Sequence, residues 1–150
     1  MLGTLRAGVS RRRSPTRMKT LGTRLVGVRV LVVDDDADVR YVTCASLESE
    51  GAIVTESASA RDAFDVLRKE RPDVLVSDLS MRAEDGYWLI AAVRALSIAH
   101  GGGTPAAALT GYITAEDRAR VLRAGFQFHI PKPVDLDRLV GIIGILALKQ

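Results

Sequence analysis

Aspartates follow two apolar runs of this sequence at the points where strands would end. Residues 34–36 are three consecutive aspartates after "RVLVV" (29–33), and Asp78 ends "DVLVSD" (73–78). Adjacent carboxylates repel one another and lose hydration when they are partly covered, so they need a compensating charge. Mg²⁺ takes oxygen ligands and keeps part of its water shell. The residue types therefore indicate a magnesium site, provided that the fold brings the carboxylates together.

A hydroxyl and an ammonium group follow two further apolar runs in the same way. Thr110 ends "PAAALT" (105–110), and Lys132 comes shortly after "FQFHI" (126–130). Singly, such residues have ordinary explanations, since an acid beside a helix start caps the helix and a surface lysine is simply hydrated. Their shared placement is what indicates one site in which carboxylates, a hydroxyl and a cationic side chain meet.

Five short apolar runs alternate with five helical segments, and these elements must position the site. Strands separated by helical crossovers lie parallel, and right-handed crossovers place helices on both faces of the sheet. We therefore predict an α/β fold with a doubly wound, five-stranded parallel sheet. In the first helix, Val39, Val42 and Leu47 are expected to face the core. The predicted strands are 29–33, 52–57, 73–78, 105–110 and 126–130, and the helices are 37–50, 60–71, about 89–96, 114–125 and one from about 135.

This topology brings the polar residues to one place. Ligands of doubly wound sheets bind beyond the carboxyl ends of the strands. Asp34 and Asp35 follow the first strand, Asp78 ends the third, Thr110 ends the fourth and Lys132 follows the fifth. All of them are expected on the same rim of the sheet.

Four motifs in this order resemble the receiver domain of two-component response regulators: "VVDDD", "DVLVSDLSMRAEDG", "ALTG" and "IPKPV". The resemblance covers about residues 29–147. The sequence around the first and fourth strands is similar to that of receivers of hybrid histidine kinases. It implies a flavodoxin-like (βα)5 fold. It also implies a signalling module that accepts a phosphoryl group from a histidine kinase or a histidine phosphotransfer protein.

The resemblance assigns the acidic residues their roles. Asp78 matches the phosphoacceptor, and Asp34 and Asp35 match the acidic pair that holds Mg²⁺, with Asp35 as the direct ligand. Asp78 and the carbonyl of Ser80 complete the implied metal ligands. Asp36 is expected to cap the first helix.

The resemblance also assigns the residues that respond to the phosphoryl group. Thr110 matches the switch hydroxyl, and Lys132 matches the lysine that pairs with the phosphoryl group, with a cis peptide bond before Pro133. His129 stands where the family commonly has Tyr or Phe, and is expected to be the switch residue. Two positions are expected to flank the path of the hydrolysing water, namely Ser80 and Tyr112. Arg82 departs from the family, which usually has proline at this place.

Two alternatives remain open at this point. A haloacid dehalogenase-type, Mg²⁺-dependent phosphatase would use Asp34 as nucleophile and Asp36 as acid/base. That class usually has Thr or Val where this chain has Ala37, and it would leave Asp78 without a role. A receiver-like module working without phosphate is the other alternative. Under the leading hypothesis the protein is not a turnover enzyme, because a receiver only acquires and loses its own phosphoryl group.

Residues 1–28 differ from the rest of the chain in charge. They contain seven basic residues and no acidic one, whereas the remainder is net acidic, so the net charge of +3 comes from this segment. We predict a disordered basic leader, 1–28, and a receiver domain, 29–150; translation from Met18 would shorten the leader. The domain itself is not expected to bind nucleic acid.

The sequence also predicts where the protein works. It has no secretory signal and no apolar stretch of about 18 residues, so no membrane span is expected. Its single cysteine, Cys44, cannot form an internal disulfide and fits a reducing compartment. We therefore expect a cytoplasmic protein, without an output domain after the fifth helix.

The uncharged segment "LVGIIGILAL" (139–148) indicates a binding surface. A helix that is apolar all round is normally covered, and ten residues are too few to cross a bilayer. We predict a homodimer or a partner docked on this helix. The expected core-facing residues are Leu139, Val140, Ile143 and Leu146, which leaves Ile142, Ile145 and Leu148 on other faces.

Overall fold

The structure is a computed structural model that describes residues 5–6, 9–11, 22–111 and 113–148. The strands are β1 Leu5–Arg6, β2 Val9–Arg11, β3 Arg29–Val33, β4 Ile53–Ser57, β5 Val74–Asp78, β6 Ala106–Thr110 and β7 Phe128–Pro131. They form one sheet with the order β1-β2-β4-β3-β5-β6-β7. The last five strands are parallel, whereas β1 and β2 join the sheet edge antiparallel through β4.

The helices begin where the sequence supplies a capping side chain. Asp36, Ser59, Asp85, Thr114 and Asp135 each accept a backbone N–H of the first turn of a helix. The fourth helix begins with a capping box, in which the side chains of Thr114 and Asp117 each accept the backbone N–H of the other residue. The helices are α1 Ala37–Glu48, α2 Ala60–Glu70, α3 Gly86–Arg94, α4 Ala115–Ala124 and α5 Leu136–Ala147.

The parallel strands are buried on both faces, which explains their continuous apolar runs. Val30 and Val32 of β3 pack in a cluster with α1 and α5, whereas Leu31 and Val33 pack in a second cluster with α2, α3 and α4. The two clusters lie on opposite faces because successive side chains of a strand point to opposite sides. The doubly wound, five-stranded parallel sheet is thereby confirmed, with β1 and β2 as an unpredicted addition at its edge.

The buried face of α1 differs from the prediction. Leu47 is buried as expected, but Val42 is exposed and Val39 is only half-buried, whereas Thr43 and Cys44 are buried. Burial of Thr43 is possible because its hydroxyl donates to the carbonyl of Val39 within the helix, at 2.8 Å. The buried face predicted from apolar residue type is therefore wrong by one position, since Thr43 is buried in place of Val42.

On α5 the predicted core residues are all buried, but one further residue joins them. Ile142, expected on another face, is only 7% exposed and belongs to the core, which corrects that prediction. Ile145 and Leu148 are 47% and 86% exposed, as expected. The outward apolar surface of this helix is therefore narrower than the sequence indicated. Within the part of the chain that the structure describes, no helix combines the length and apolar character needed to cross a bilayer.

Part of the predicted leader packs on the domain. Leu25 is fully buried in the core, and the N–H groups of Gly22 and Leu25 donate to the carbonyls of Ser49 and Glu50. The backbone of residues 9–11 pairs with β4. Met18 and the other positions from 12 to 21 lie outside the described residues. The boundary after residue 28 stays a prediction, with the finding that residues 22–28 pack against the domain.

Candidate functional site

Asp34, Asp35 and Asp78 meet at the carboxyl end of the sheet. The strands β3 and β5 are parallel neighbours in which Val33 pairs with Ser77. The residues that follow these two, Asp34 and Asp78, therefore lie at the same edge of the sheet. One carboxylate oxygen of each aspartate lies within 4.8 Å of the other two. Asp34 and Asp78 are buried and Asp35 is half-buried. The predicted convergence of the acidic residues is what the structure shows.

Lys132 supplies the positive charge of this acidic cluster. Its Nζ lies 3.0 Å from Asp78 Oδ1 and 3.5 Å from Asp34 Oδ2. The residue is placed there by β7 and by its N–H, which donates to the carbonyl of Thr110 at 2.7 Å. The following peptide bond, to Pro133, is cis as predicted. Burial alone would lower the pKa of Lys132, but the hydrogen bond to Asp78 and the two carboxylate charges outweigh it and raise the pKa.

The environment of Asp34 disfavours its charge. Burial raises the pKa of this carboxyl, and the charge of Asp78 raises it further. The N–H of Asp36, 2.9 Å from Asp34 Oδ1, and the ammonium of Lys132 act in the opposite direction. Among the described residues, the ammonium of Lys132 therefore faces a cluster of three carboxylates, and further positive charge would stabilise their ionised forms.

The donor set fits a hard divalent cation. Carboxylate oxygens are the ligands that Mg²⁺ prefers, and three of them converge within reach of one ion. Asp35 is the least covered of the three, and its Oδ2 also accepts the N–H of Arg82 at 2.9 Å. Asp36 does not join the cluster's metal-binding group; its side chain caps α1 by accepting the N–H groups of Asp38 and Val39. Asp34, Asp35 and Asp78 are the residues that could hold the ion.

Thr110 and His129, on the two strands that follow β5 in the sheet, each have a buried polar atom without a partner among the described residues. Within the described residues, neither Thr110 Oγ1 nor His129 Nδ1 has a hydrogen-bond partner. Thr110 ends β6, next to the strand that carries Asp78, and His129 lies on β7. An unsatisfied buried hydroxyl costs free energy, which a new acceptor near Asp78 would recover.

The imidazole of His129 is disfavoured as a cation. Burial lowers the pKa of His129, and the guanidinium groups of Arg118 and Arg138 lower it further. The neutral ring is therefore the form that the folded chain favours. A neutral imidazole is a flat, partly apolar group.

A cleft of about 520 Å³ opens beside Thr110, and Ser80 lies on its wall. Met81, Tyr87 and Ile113 supply its apolar surface. Leu79, the residue after Asp78, also lines the cleft, whereas Asp34, Asp35 and Asp78 do not. Tyr112, which is expected from the sequence to flank the path of the hydrolysing water, lies outside the described residues.

Residues 30–144 match the family described as the response regulator receiver domain. The chain belongs to this family. The match covers the acidic cluster, Thr110 and Lys132, and it supports the receiver interpretation rather than the haloacid dehalogenase phosphatase.

Relatives and solved structures of receivers resemble this chain over most of its length. An uncharacterized 14.6 kDa protein encoded in the sodA1 3′ region of Leptolyngbya boryana is 44% identical and covers 79% of this chain and 89% of its own. Hybrid signal transduction histidine kinase D of Dictyostelium discoideum is 32% identical over 74% of this chain, which corresponds to 8% of the kinase. A crystal structure of a putative response regulator from Chloroflexus aurantiacus has a TM-score of 0.75 and 26% identity, covering 81% of this chain and 98% of its own.

Two contacts of this receiver's acidic pair were not predicted from the sequence. The guanidinium of Arg40 donates to the carbonyl of Asp34, and the N–H of Arg82 donates to Asp35. Glu56, an acid inside the strand "IVTES", was a signal for the first contact, because a partly buried acid requires a nearby partner. The second contact uses the backbone, and its signal is that Arg82 has an N–H where proline would have none.

Proposed function

We propose that Asp78 of this receiver accepts a phosphoryl group from the phosphohistidine of a histidine kinase or phosphotransfer protein. The observation that carries the proposal is the position of the Lys132 ammonium, 3.0 Å from Asp78 Oδ1, at the edge of three convergent carboxylates. Asp34, Asp35, Asp78 and the carbonyl of Ser80 would hold Mg²⁺. The bound ion would offset negative charge on the transferring phosphoryl oxygens.

The proposed reaction is one in-line displacement. A carboxylate oxygen of Asp78 attacks the phosphorus, the P–N bond to the donor imidazole breaks, and an acyl phosphate forms on Asp78. Lys132 would stay close to the developing charge, because its ammonium already lies 3.0 Å from Oδ1 of the acceptor carboxylate. The chain therefore contributes a positioned nucleophile and a fixed positive charge.

Asp78 suits the nucleophile's role better than Asp34 does. Both oxygens of Asp34 are occupied, one by the N–H of Asp36 at 2.9 Å and the other by Lys132 at 3.5 Å. Asp34 is also fully buried. Asp34 is therefore placed to hold the cation and the ammonium, while Asp78 ends the strand next to that of Thr110, whose hydroxyl would sense the product.

Phosphorylation would switch the receiver through Thr110 and His129. The phosphoryl oxygens on Asp78 offer an acceptor to the unpartnered hydroxyl of Thr110, and movement of this hydroxyl vacates space on the β7 side. The neutral ring of His129 would then turn into that space. Such a charge-driven, two-state element is how modified side chains control a distant surface.

Ser80 and Tyr112 would control the access of water to the acyl phosphate on Asp78, and so the lifetime of the phosphorylated state. The receiver would gain and lose its own phosphoryl group, without turnover of a substrate. We place this function in the cytoplasm. The exposed Ile145 and Leu148 of α5 would contact a second copy or a signalling partner.

Incubation with Mg²⁺ and acetyl phosphate, followed by intact mass measurement, tests the proposed acceptor. The wild-type chain should gain the mass of one phosphoryl group, and Asp78→Asn should gain none. Asp34→Asn, which keeps the nucleophile, should still react, but more slowly. Phosphorylation that survives in Asp78→Asn and disappears in Asp34→Asn would favour the phosphatase-type site instead.

A further inference from the structure

Arg40 makes a bridge between α1, β4 and the acidic end of β3. Its Nε lies 2.8 Å from Glu56 Oε1, and its Nη1 donates to the carbonyl of Asp34 at 2.6 Å. The side chains of Arg40 and Glu56 are 18% and 13% exposed. This pair is therefore more covered than a typical surface ion pair, and one planar guanidinium serves both acceptors.

The carbonyl that Arg40 binds belongs to the peptide unit between Asp34 and Asp35. A peptide unit is planar, so fixing its carbonyl direction also fixes the bonds that lead to both α-carbons. On the other side of Asp34, its N–H donates to the carbonyl of Ser57 at 3.2 Å. The backbone of Asp34 is thus held at both of its hydrogen-bonding groups.

This backbone carries two of the three carboxylates of the cluster. Their oxygens converge within 4.8 Å, a geometry that a rotation of the 34–35 peptide unit would change for both side chains together. Arg40 contacts the backbone of the cluster and not its carboxylates. Its guanidinium donates to the carbonyl of the peptide unit that joins Asp34 and Asp35.

We propose that Arg40, oriented by Glu56, is a positioning residue that preorganises Asp34 and Asp35 for the divalent cation. The inference rests on the proposed function, because it concerns the same metal site. Removal of the guanidinium would leave the fold's core untouched, yet would let the 34–35 peptide unit move. The cost should therefore fall on cation affinity.

Titration calorimetry with MgCl₂ on the full chain tests the proposal, at a temperature where circular dichroism shows every variant folded. Arg40→Gln should weaken Mg²⁺ affinity about tenfold, which corresponds to about 1.4 kcal/mol. Arg40→Lys should lose less affinity than Arg40→Gln, because its ammonium can still donate to one acceptor. It should not reach wild-type affinity, because one ammonium cannot serve both acceptors in the same geometry. Glu56→Gln keeps an acceptor oxygen and should lose less than Arg40→Gln.

A matched control is available on α2. Arg68 pairs with Asp65 at 3.0 Å on an exposed surface, so Arg68→Gln removes an ion pair that does not contact the cluster and should leave Mg²⁺ affinity unchanged. Arg40→Gln with wild-type affinity would overturn the proposal and make the bridge a purely structural ion pair. If Arg40→Gln does not fold, equal affinities for Arg40→Lys, Glu56→Gln and wild type would overturn it. Absence of Mg²⁺ binding by the wild-type chain would instead contradict the proposed function.

Discussion

Lys132 Nζ lies 3.0 Å from Asp78 Oδ1, although the strands that lead to these residues, β7 and β5, are separated by β6 in the sheet. Only a long side chain can extend across the neighbouring strand to reach the carboxylate. The compensation of negative charge in the receiver's acidic cluster therefore depends on Lys132, which comes from a different part of the chain.

Replacement of this lysine should slow phosphorylation without preventing the fold. Lys132→Met keeps the length of the side chain but removes its charge, so acetyl phosphate should modify Asp78 about 10²–10³ times more slowly, as expected for loss of one electrostatic contact. The rate of mass increase under saturating Mg²⁺ measures this. An unchanged rate would show that the ammonium does not act on the reacting oxygens.

His129 should make the stability of the receiver depend on pH. Burial, with Arg118 and Arg138, lowers the pKa of this imidazole, so the unfolded chain binds a proton at a pH where the folded chain does not. Stability is therefore lost as the pH falls through the ordinary histidine pKa of about 6.5. We expect the melting temperature of wild type to fall relative to that of His129→Phe between about pH 7 and 5.

The comparison with His129→Phe removes the contribution of the other titratable groups, which both proteins share. A difference in melting temperature that stays constant across this pH range would contradict the lowered pKa. It would also weaken the assignment of His129 as a neutral switch residue.

Leu25 should be as important for stability as residues of the predicted domain. It is fully buried, whereas its neighbour Val26 is 66% exposed. Leu25→Ala should reduce the free energy of unfolding by about 2–5 kcal/mol, and Val26→Ala should change it by less than about 0.5 kcal/mol. Chemical denaturation measures both. Equal effects would show that residues 22–28 do not pack as described.

Ile142 and Ile145 should behave differently when a charge replaces them. Ile142→Glu places a carboxylate in the core and should destabilise the fold by several kcal/mol. Ile145→Glu changes an exposed position and should preserve the melting temperature while reducing self-association. Sedimentation velocity over a range of concentrations measures the latter. A strict monomer at high concentration for the wild-type chain would contradict a homodimer through α5.

The sequence was sufficient for the parts of the site that depend on topology. Asp34, Asp35, Asp78, Thr110 and Lys132 were predicted to converge because the carboxyl ends of parallel strands share one edge. The strand and helix types followed from apolar runs and capping residues, and no detailed packing was needed to identify them.

What depends on side-chain reach was not predictable in the same way. The bridge from Arg40 to Asp34 needs the distance between α1 and β4, and the contact of Arg82 needs the path of the loop after β5. The burial of Thr43 in place of Val42 depends on a hydroxyl finding its partner inside the helix. The pairing of β2 with β4 joins two segments that have no local pattern in common.

The position of the phosphoryl group is the most direct test of Asp78 as the acceptor. After reaction with acetyl phosphate and Mg²⁺, the chain should be digested under conditions that preserve acyl phosphates, and the modified peptide sequenced by mass spectrometry. We predict modification of Asp78 in the wild-type chain and no acyl phosphate in Asp78→Asn. A phosphoryl group found on Asp34, or on Asp35 in the presence of an intact Asp78, would contradict it.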